Sequence, residues 1–206
     1  AMFAASYTAI LQRDLKRMLA YSSIGQVGYM LLGVALLSKS GLMATMIHLF
    51  NHGITKAALF MGVGVYVLNG GGSFYHNLRG RGKTMPWTSA AMVVAGLSLI
   101  GVPGTAGFLS KWLLVEAALA QGMWPIALLI VASSLLAVIY VWKLIETLYL
   151  AQPADGLQDQ NVPLVMMIPL WVMALACIYF GFDTDITLSA ARSAAEGLLA
   201  GSAGMR

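Results

Sequence analysis

The feature that most restricts what this chain can fold into is a succession of apolar runs, each long enough to cross a lipid bilayer. A helix needs roughly 20 apolar residues to span a hydrocarbon core about 30 Å thick. Residues 19–37, 42–68, 86–119, 123–150 and 162–182 meet or approach that length, and short polar loops separate them. A water-soluble domain would need a charged coat that this sequence does not carry. Of 206 residues, 59% are hydrophobic and only 10% are charged, against about 25% charged in soluble domains. The expected fold is therefore all-α: a polytopic bundle of transmembrane helices, with the lipid bilayer as its solvent.

The run 1–11 is apolar but too short to span, and it lacks the charged leading region of a signal peptide. It is expected to be the end of a truncated helix whose start lies outside this sequence. Residues 12–150 are expected to form one transmembrane domain of four spans, the third broken near 101–107. Residues 151–206 then hold a loop, a final transmembrane helix over 162–182 and a weakly amphipathic tail that lies at the interface.

The loops assign the sides. Arg13, Lys16 and Arg17 precede the first full span, and Arg79, Arg81 and Lys83 lie two crossings later, hence on the same side. The opposite-side loops hold only Lys39 and, between Leu119 and Met123, no basic residue. Basic loops stay cytoplasmic, so the arginine-rich side is expected inside. The loop 152–161, acidic with Asp155 and Asp159, falls on that side, and the C-terminus faces outward. The expected location is the plasma membrane, which is the inner membrane where a cell has two. The net charge of +4 sits in these loops rather than along one helical face, so nucleic acid is not an expected partner. Cys177, the single cysteine, can form no intrachain disulfide and reads as a small lipid- or helix-facing residue.

Ionisable groups inside a span are expensive, so those present call for partners, water or a function. His48, His52 and Lys56 follow one another at four-residue spacing in IHLFNHGITKAALFM, which stacks them on one helical face. Facing lipid would strand all three, so the face should look into the protein. An imidazole passes a proton between its two nitrogens near neutral pH, and a lysine kept from water gives up its proton more readily. The row has the chemistry of a proton relay. It also has that of polar bonding between helices. Two histidines one turn apart can bind zinc, but the neighbouring Lys56 and the lack of a nearby carboxylate or cysteine argue against a metal.

Lys111 stands in LSLIGVPGTAGFLSKWLLVEAAL, where Gly101, Pro103, Gly104 and Gly107 interrupt a helix that otherwise spans. Proline removes a backbone donor and glycine loosens the turn. Unwound backbone at membrane depth survives only where protein or water satisfies it, and helix ends facing a cavity are a common ion site in transporters. The plainer reading is a proline kink with a lysine that snorkels, although Lys111 is far from either end of the span. Glu116 could pair with a charge elsewhere or lie at the outer interface.

Asp14, Lys16 and Arg17 stand at the mouth of the first full span, where charges also serve as plain anchors. Ser22, Ser23, Gln26 and Tyr29 continue down it, to line a wet path or to bond neighbouring helices. Lys143 and Glu146 are expected to form an interfacial ion pair. Gly70, Gly71 and Gly72 lack the following Lys-Ser/Thr of a phosphate cradle and read as a turn, with His76 exposed beside them. No cofactor is expected, and neither redox nor hydrolytic chemistry within this chain.

Three of these segments carry a resemblance. RDLKRMLAYSSIGQVGYM is similar to the D-[LI]-K-R-x-L-A-Y-S-S-x-x-Q-x-G-Y segment of proton-translocating antiporter-like subunits, which occur in respiratory complex I, membrane-bound hydrogenases and Mrp-type sodium/proton antiporters. HLFNHGITKAALF resembles their H-x-x-x-H-x-x-x-K-A-x-x-F helix, and GVPGTAGFLSKWLL their broken helix, G-x-P-x-x-x-G-F-x-x-K. The wording of the break looks most like the D subunit of Mrp antiporters. The resemblance covers most of residues 12–150. It implies fourteen helices in the whole subunit, built on two inverted five-helix repeats, of which this chain would hold the second half. Carried over, Lys111 is the lysine of the broken helix; His48, His52 and Lys56 form the linking row; Asp14 and Lys16 form a polar entrance on the cytoplasmic side. The missing N-terminal half of the subunit and other membrane subunits become the implied partners. The implied function is proton translocation within a cation/proton antiporter complex, protons stepping through Lys56, His52 and His48 to Lys111. A pumping subunit of an NADH:quinone oxidoreductase or hydrogenase, or a structural membrane scaffold, are the rival readings.

Overall fold

The computed structural model describes residues 1–70, 72–152 and 162–203. No strand pairs with another among them; the backbone is helical with short connections. In order these are α1 (Met2–Leu11), α2 (Leu15–Ala35), α3 (Lys39–Leu68), the short α4 (Tyr75–Leu78) and α5 (Arg81–Thr84), α6 (Pro86–Ile100), α7 (Ala106–Leu119), α8 (Trp124–Ile145), α9 (Leu164–Phe182) and α10 (Asp185–Ala203). A π-helical turn, Glu146–Leu150, prolongs α8. Residues 153–161, with Asp155 and Asp159, fall outside the described residues, as does Gly71.

The helix starts follow local chemistry. Asp14 caps α2, its Oδ1 accepting from the backbone N–H of Lys16 at 2.8 Å and of Arg17 at 3.3 Å. Ser38 caps α3 through the N–H of Gly41. Pro86 occupies the first turn of α6, where a missing N–H does no harm.

Three helices are long and apolar enough to cross a membrane by themselves: α2, α8 with its π-turn, and α9. α3 is longer still, at 30 residues, but its apolar character is diluted by the polar row it carries. α6 and α7 are each too short alone; together they make the discontinuous helix. The outer surface is a belt of exposed Leu128, Leu135, Ile139, Trp142, Val165, Ile168, Val172 and Leu175 from α8 and α9, an exterior that suits acyl chains and not water. The protein is thus an all-α polytopic membrane protein.

α3 is the central post, packed against α2, α6, α7, α9 and α10. Its Leu59, Val63 and Tyr66 share one buried cluster with Leu15 and Leu19 of α2, Met92 and Leu99 of α6, Tyr140 and Leu144 of α8, and Leu170 of α9. Small residues bring the helices close. A Cβ on Gly62 of α3 would strike Met92, and one on Gly96 of α6 would strike Val141.

The two arginine-rich loops meet. The N–H of Leu15 donates to the carbonyl of Ser73 at 2.8 Å, that of Tyr75 to Arg13 at 3.1 Å, and the Ser73 hydroxyl to Asp14 Oδ2 at 2.9 Å. Both loops therefore lie at one end of the bundle.

Several expectations need correction or sharpening here. Lys143 does not pair with Glu146, which is exposed. Its ammonium donates instead to the carbonyls of Ile10 and Gln12, at 3.1 and 2.8 Å, where the last turn of α1 leaves acceptors unfilled. Cys177 faces helices, fully buried with its Sγ 3.6 Å from Thr55 Oγ1. The amphipathic tail forms α10, which lies against α3. The Lys39–Glu196 ion pair joins the two at 2.5 Å, the sole ion pair among the described residues.

Candidate functional site

The site grows from one face of α3. His48, Asn51, His52, Thr55 and Lys56 recur at three- and four-residue spacing, so they line one stripe of the helix. That stripe looks inward: His48, Asn51, Thr55 and Lys56 are buried and His52 is half-buried. The stripe faces α2, α6 and α7.

Opposite it the chain breaks. α6 ends at Gly101, whose φ of +91° is left-handed, and Gly104 repeats that conformation at +84°. Gly107 begins α7 so close to α6 that a Cβ there would collide with the carbonyl of Ser98. Pro103 lies at the exposed outer edge of the break. Polar side chains of α3 and α6 hold the unwound segment: Asn51 Nδ2 donates to the Ala106 carbonyl at 2.6 Å, Thr55 Oγ1 lies 3.0 Å from Ser98 Oγ, and the N–H of Gly107 donates to Ser98 Oγ at 3.2 Å.

Lys111, 6% exposed, turns back across the break. Its Nζ donates to the carbonyls of Leu99 at 2.9 Å and Ile100 at 2.7 Å. These carbonyls close α6, where a helix leaves acceptors unfilled and partial negative charge gathers. A cation is the natural cap for such an end. The same ammonium stands 5.3 Å above the ring centre of Tyr29 from α2. Lys111 is therefore not snorkelling; it is an internal cation held by dipoles.

His48 Nδ1 lies 2.8 Å from Ser110 Oγ, one residue before Lys111. The His48 and His52 rings are nearly parallel with centroids 6.4 Å apart, and Tyr29 leans against His48 at 5.5 Å. His48, Asn51, His52, Thr55, Ser98, Ser110, Lys111 and Gln26 share a cavity of about 10 Å³, room for the centre of roughly one water molecule. His48 Nε2, Asn51 Oδ1 and His52 Nδ1 are buried without a protein hydrogen-bond partner. Three such groups around one polar cavity are the conditions under which an internal water is held.

Lys56 stands apart from this cavity. Its Nζ donates to the Leu19 carbonyl at 2.7 Å and to the Ser22 hydroxyl, which ties the row to α2. Ser22 and Gln26 are one turn apart on α2, and Gln26 lines the cavity with Lys111, so polar groups of α2 stand between Lys56 and that cavity. No direct hydrogen bond joins His48, His52, Lys56 and Lys111 to one another.

Asp14 and Lys16 are not brought near this site. Asp14 is committed to its cap and to Ser73, and Lys16 is exposed at the end of the bundle. Glu116 is exposed beside a 190 Å³ cleft between α3 and α7. The sequence reading passed over Asn51, Thr55, Ser98 and Ser110. For Asn51 and Thr55 the signal was present, since they share the stripe of the basic row. Ser98 and Ser110 become partners only once the break folds α7 against α6 and α3.

A helical membrane protein with one span broken at mid-length, beside a stripe of buried basic side chains, is the class that this fold and site define. Residues 1–137 match the transmembrane family described as NADH:quinone oxidoreductase/Mrp antiporter, and the chain belongs to that family. It is 36% identical to NADH-quinone oxidoreductase subunit N of Desulforudis audaxviator, over 89% of this chain and 39% of that protein. It is 37% identical to F(420)H(2) dehydrogenase subunit L of Methanosarcina mazei, over 88% of this chain and 29% of that one. Its fold superposes with a TM-score of 0.86 on a chain of the Mrp complex from Dietzia sp., at 24% identity, covering 94% of this chain and 44% of the other. The chain thus spans well under half the length of the curated relatives it matches. These likenesses reach the family; they do not single out the D subunit of Mrp antiporters.

Proposed function

We propose that this chain is the second half of a proton-translocating unit in a multi-subunit membrane complex, driven by redox chemistry on neighbouring subunits. The observation that carries this reading is Lys111. A buried ammonium with no carboxylate beside it among the described residues, held by the carbonyls that end a half-helix and set beside a small polar cavity with two histidines, is built to gain and lose a proton. Lys56, His52 and His48 pass protons along α3 toward it, with water in the cavity linking His52 and His48 to Lys111 and with Ser22 and Gln26 between Lys56 and that cavity. Loading one of these bases makes loading its neighbour harder, since like charges in a site poor in water disfavour each other. Charge on one lysine is thereby felt by the next.

Identity of 36% and 37% to subunits of NADH-quinone oxidoreductase and F(420)H(2) dehydrogenase supports the redox-driven setting. Other membrane subunits and the first half of the same subunit are its partners. Its arginine-rich loops face the cytoplasm and its C-terminus faces outward, in the plasma or inner membrane. A second reading, sodium/proton exchange in an Mrp-type complex, rests on the wording of the break, GVPGTAGFLSK.

The deciding experiment places Lys111→Ala in the full subunit within its complex, in sealed vesicles. The complex should assemble and pH-gradient formation should collapse. Normal gradient formation would remove Lys111 from the mechanism, and failure to assemble would favour a scaffold. Gradient formation by the unaltered complex that needs an electron donor, and not a sodium gradient, selects the redox-driven setting over the exchanger.

A further inference from the structure

Lys111 lies deep in the protein, and among the described residues none of its contacts is an anion. From α6 it receives only carbonyl oxygens. α3 presents His48 and, further along, His52; both are bases. α8 brings Ser133 and Tyr140 behind Tyr29, and α9 brings Cys177 beside Thr55. Against its ammonium stands the π face of Tyr29, with 5.3 Å between Nζ and the ring centre. That distance falls within the range at which an aromatic face attracts a cation.

The ring is fixed in place. The Tyr29 hydroxyl bonds to Ser133 Oγ of α8 and lies 3.5 Å from the Ile130 carbonyl. The residue is 2% exposed, and its other neighbour is the His48 ring, 5.5 Å away. Tyr29 therefore forms a wall shared by the two bases that the proposed relay brings together, pinned from behind by a third helix.

We infer that Tyr29 is a positioning residue for Lys111: its aromatic face stabilises the charged ammonium in place of a carboxylate, and Ser133 holds the ring at the distance where this works. This rests on the role proposed for Lys111 and specifies what sets that lysine's readiness to release a proton. A carboxylate partner would hold the proton too firmly in a site so poor in water, whereas a ring quadrupole attracts the cation weakly enough to let the proton leave.

The test replaces Tyr29 in the full complex by phenylalanine and by its mono-, di- and trifluorinated forms. Fluorine withdraws charge from the ring face with little change of shape, so the series weakens the attraction while packing is kept. The readout is the initial rate of pH-gradient formation in vesicles as a function of pH. The expected result is a stepwise displacement of the pH profile toward acid as fluorines are added. From the ring to its fully withdrawn form the change in proton affinity should be about two- to thirty-fold, a displacement of roughly 0.4 to 1.5 pH units. Ser133→Ala should displace the profile in the same direction while the complex assembles normally. A profile that does not move across the fluorinated series, in a complex where Lys111→Ala abolishes transport, overturns the role of Tyr29 and leaves Lys111 in place. A Lys111→Ala complex that transports normally overturns both.

Discussion

The ammonium of Lys111 sits 2.7 Å from the carbonyl oxygen of Ile100, so the lysine of α7 closes the end of α6 across eleven residues of chain. One side chain therefore completes the end of a short helix and, in the proposed relay, also offers a proton. The two can be separated. Lys111→Arg keeps a permanent charge on the same carbonyls, because a guanidinium does not deprotonate in proteins. The complex should assemble and keep its thermal stability, while vesicle pH-gradient formation drops at least about tenfold, the scale of a 1.4 kcal/mol barrier increase. Transport at the normal rate would show that Lys111 acts only as a cap.

The break demands glycine at one position above others. Gly107→Ala would drive a methyl group into the Ser98 carbonyl and should destabilise the protein by about 1–3 kcal/mol, as overpacking does. Gly64, on an open face of α3 with no atom within 4 Å of an added Cβ, is the matched control. Gly64→Ala should be neutral or stabilise by up to about 1 kcal/mol. Thermal unfolding of both variants in detergent separates the two.

Asp14 poses a question that one substitution answers. Both its oxygens are occupied, one by the cap of α2 and one by Ser73. Asp14→Asn keeps a good capping side chain but removes the charge, and should leave transport within about twofold of normal, since Asn and Asp cap equally well. Asp14→Ala should cost about 1 kcal/mol of stability. A collapse of transport in the Asn variant would establish Asp14 as a charged entrance for protons.

The ion pair between α3 and α10 gives a pH dependence of known sign. The hydrogen bond from Lys39, and then its charge, hold the Glu196 carboxyl below its ordinary range. A depressed carboxyl stabilises the folded state above its unfolded value and loses that contribution as pH falls through its folded one. Amide protection factors in residues 185–203, corrected for the intrinsic pH dependence of exchange, should therefore be constant from neutral pH down to the ordinary carboxylate range and fall only below it. Both side chains are about half exposed, so Glu196→Gln should loosen α10 only slightly at neutral pH, and added salt should mimic it.

The bundle was legible in the sequence because bilayer thickness sets a length that apolar runs either meet or miss. The break was legible because Gly101, Gly104 and Gly107 cluster around Pro103 where a span should continue. The inward stripe of α3 followed from the spacing of His48, His52 and Lys56. What escaped was pairing across helices. Lys143 and Glu146 are neighbours in sequence, yet Lys143 reaches the open end of α1, because unfilled carbonyls compete well with an exposed carboxylate for an ammonium. Ser110 and Ser98 gave no signal, since a serine in an apolar run is ordinary until the fold brings a histidine or the N–H of a helix start to it. The wall formed by Tyr29 depends on three helices meeting, which no local pattern encodes.

His48, His52, Lys56 and Lys111 are all bases, and the ion pair found among the described residues lies elsewhere, between α3 and α10. The consequence is one of stoichiometry. In the proposed relay, with no acid beside these bases among the described residues, a first proton makes a second harder to load by repulsion, so single occupancy is favoured. A counting experiment on the intact complex should then find these four bases taking up one elementary charge at a time.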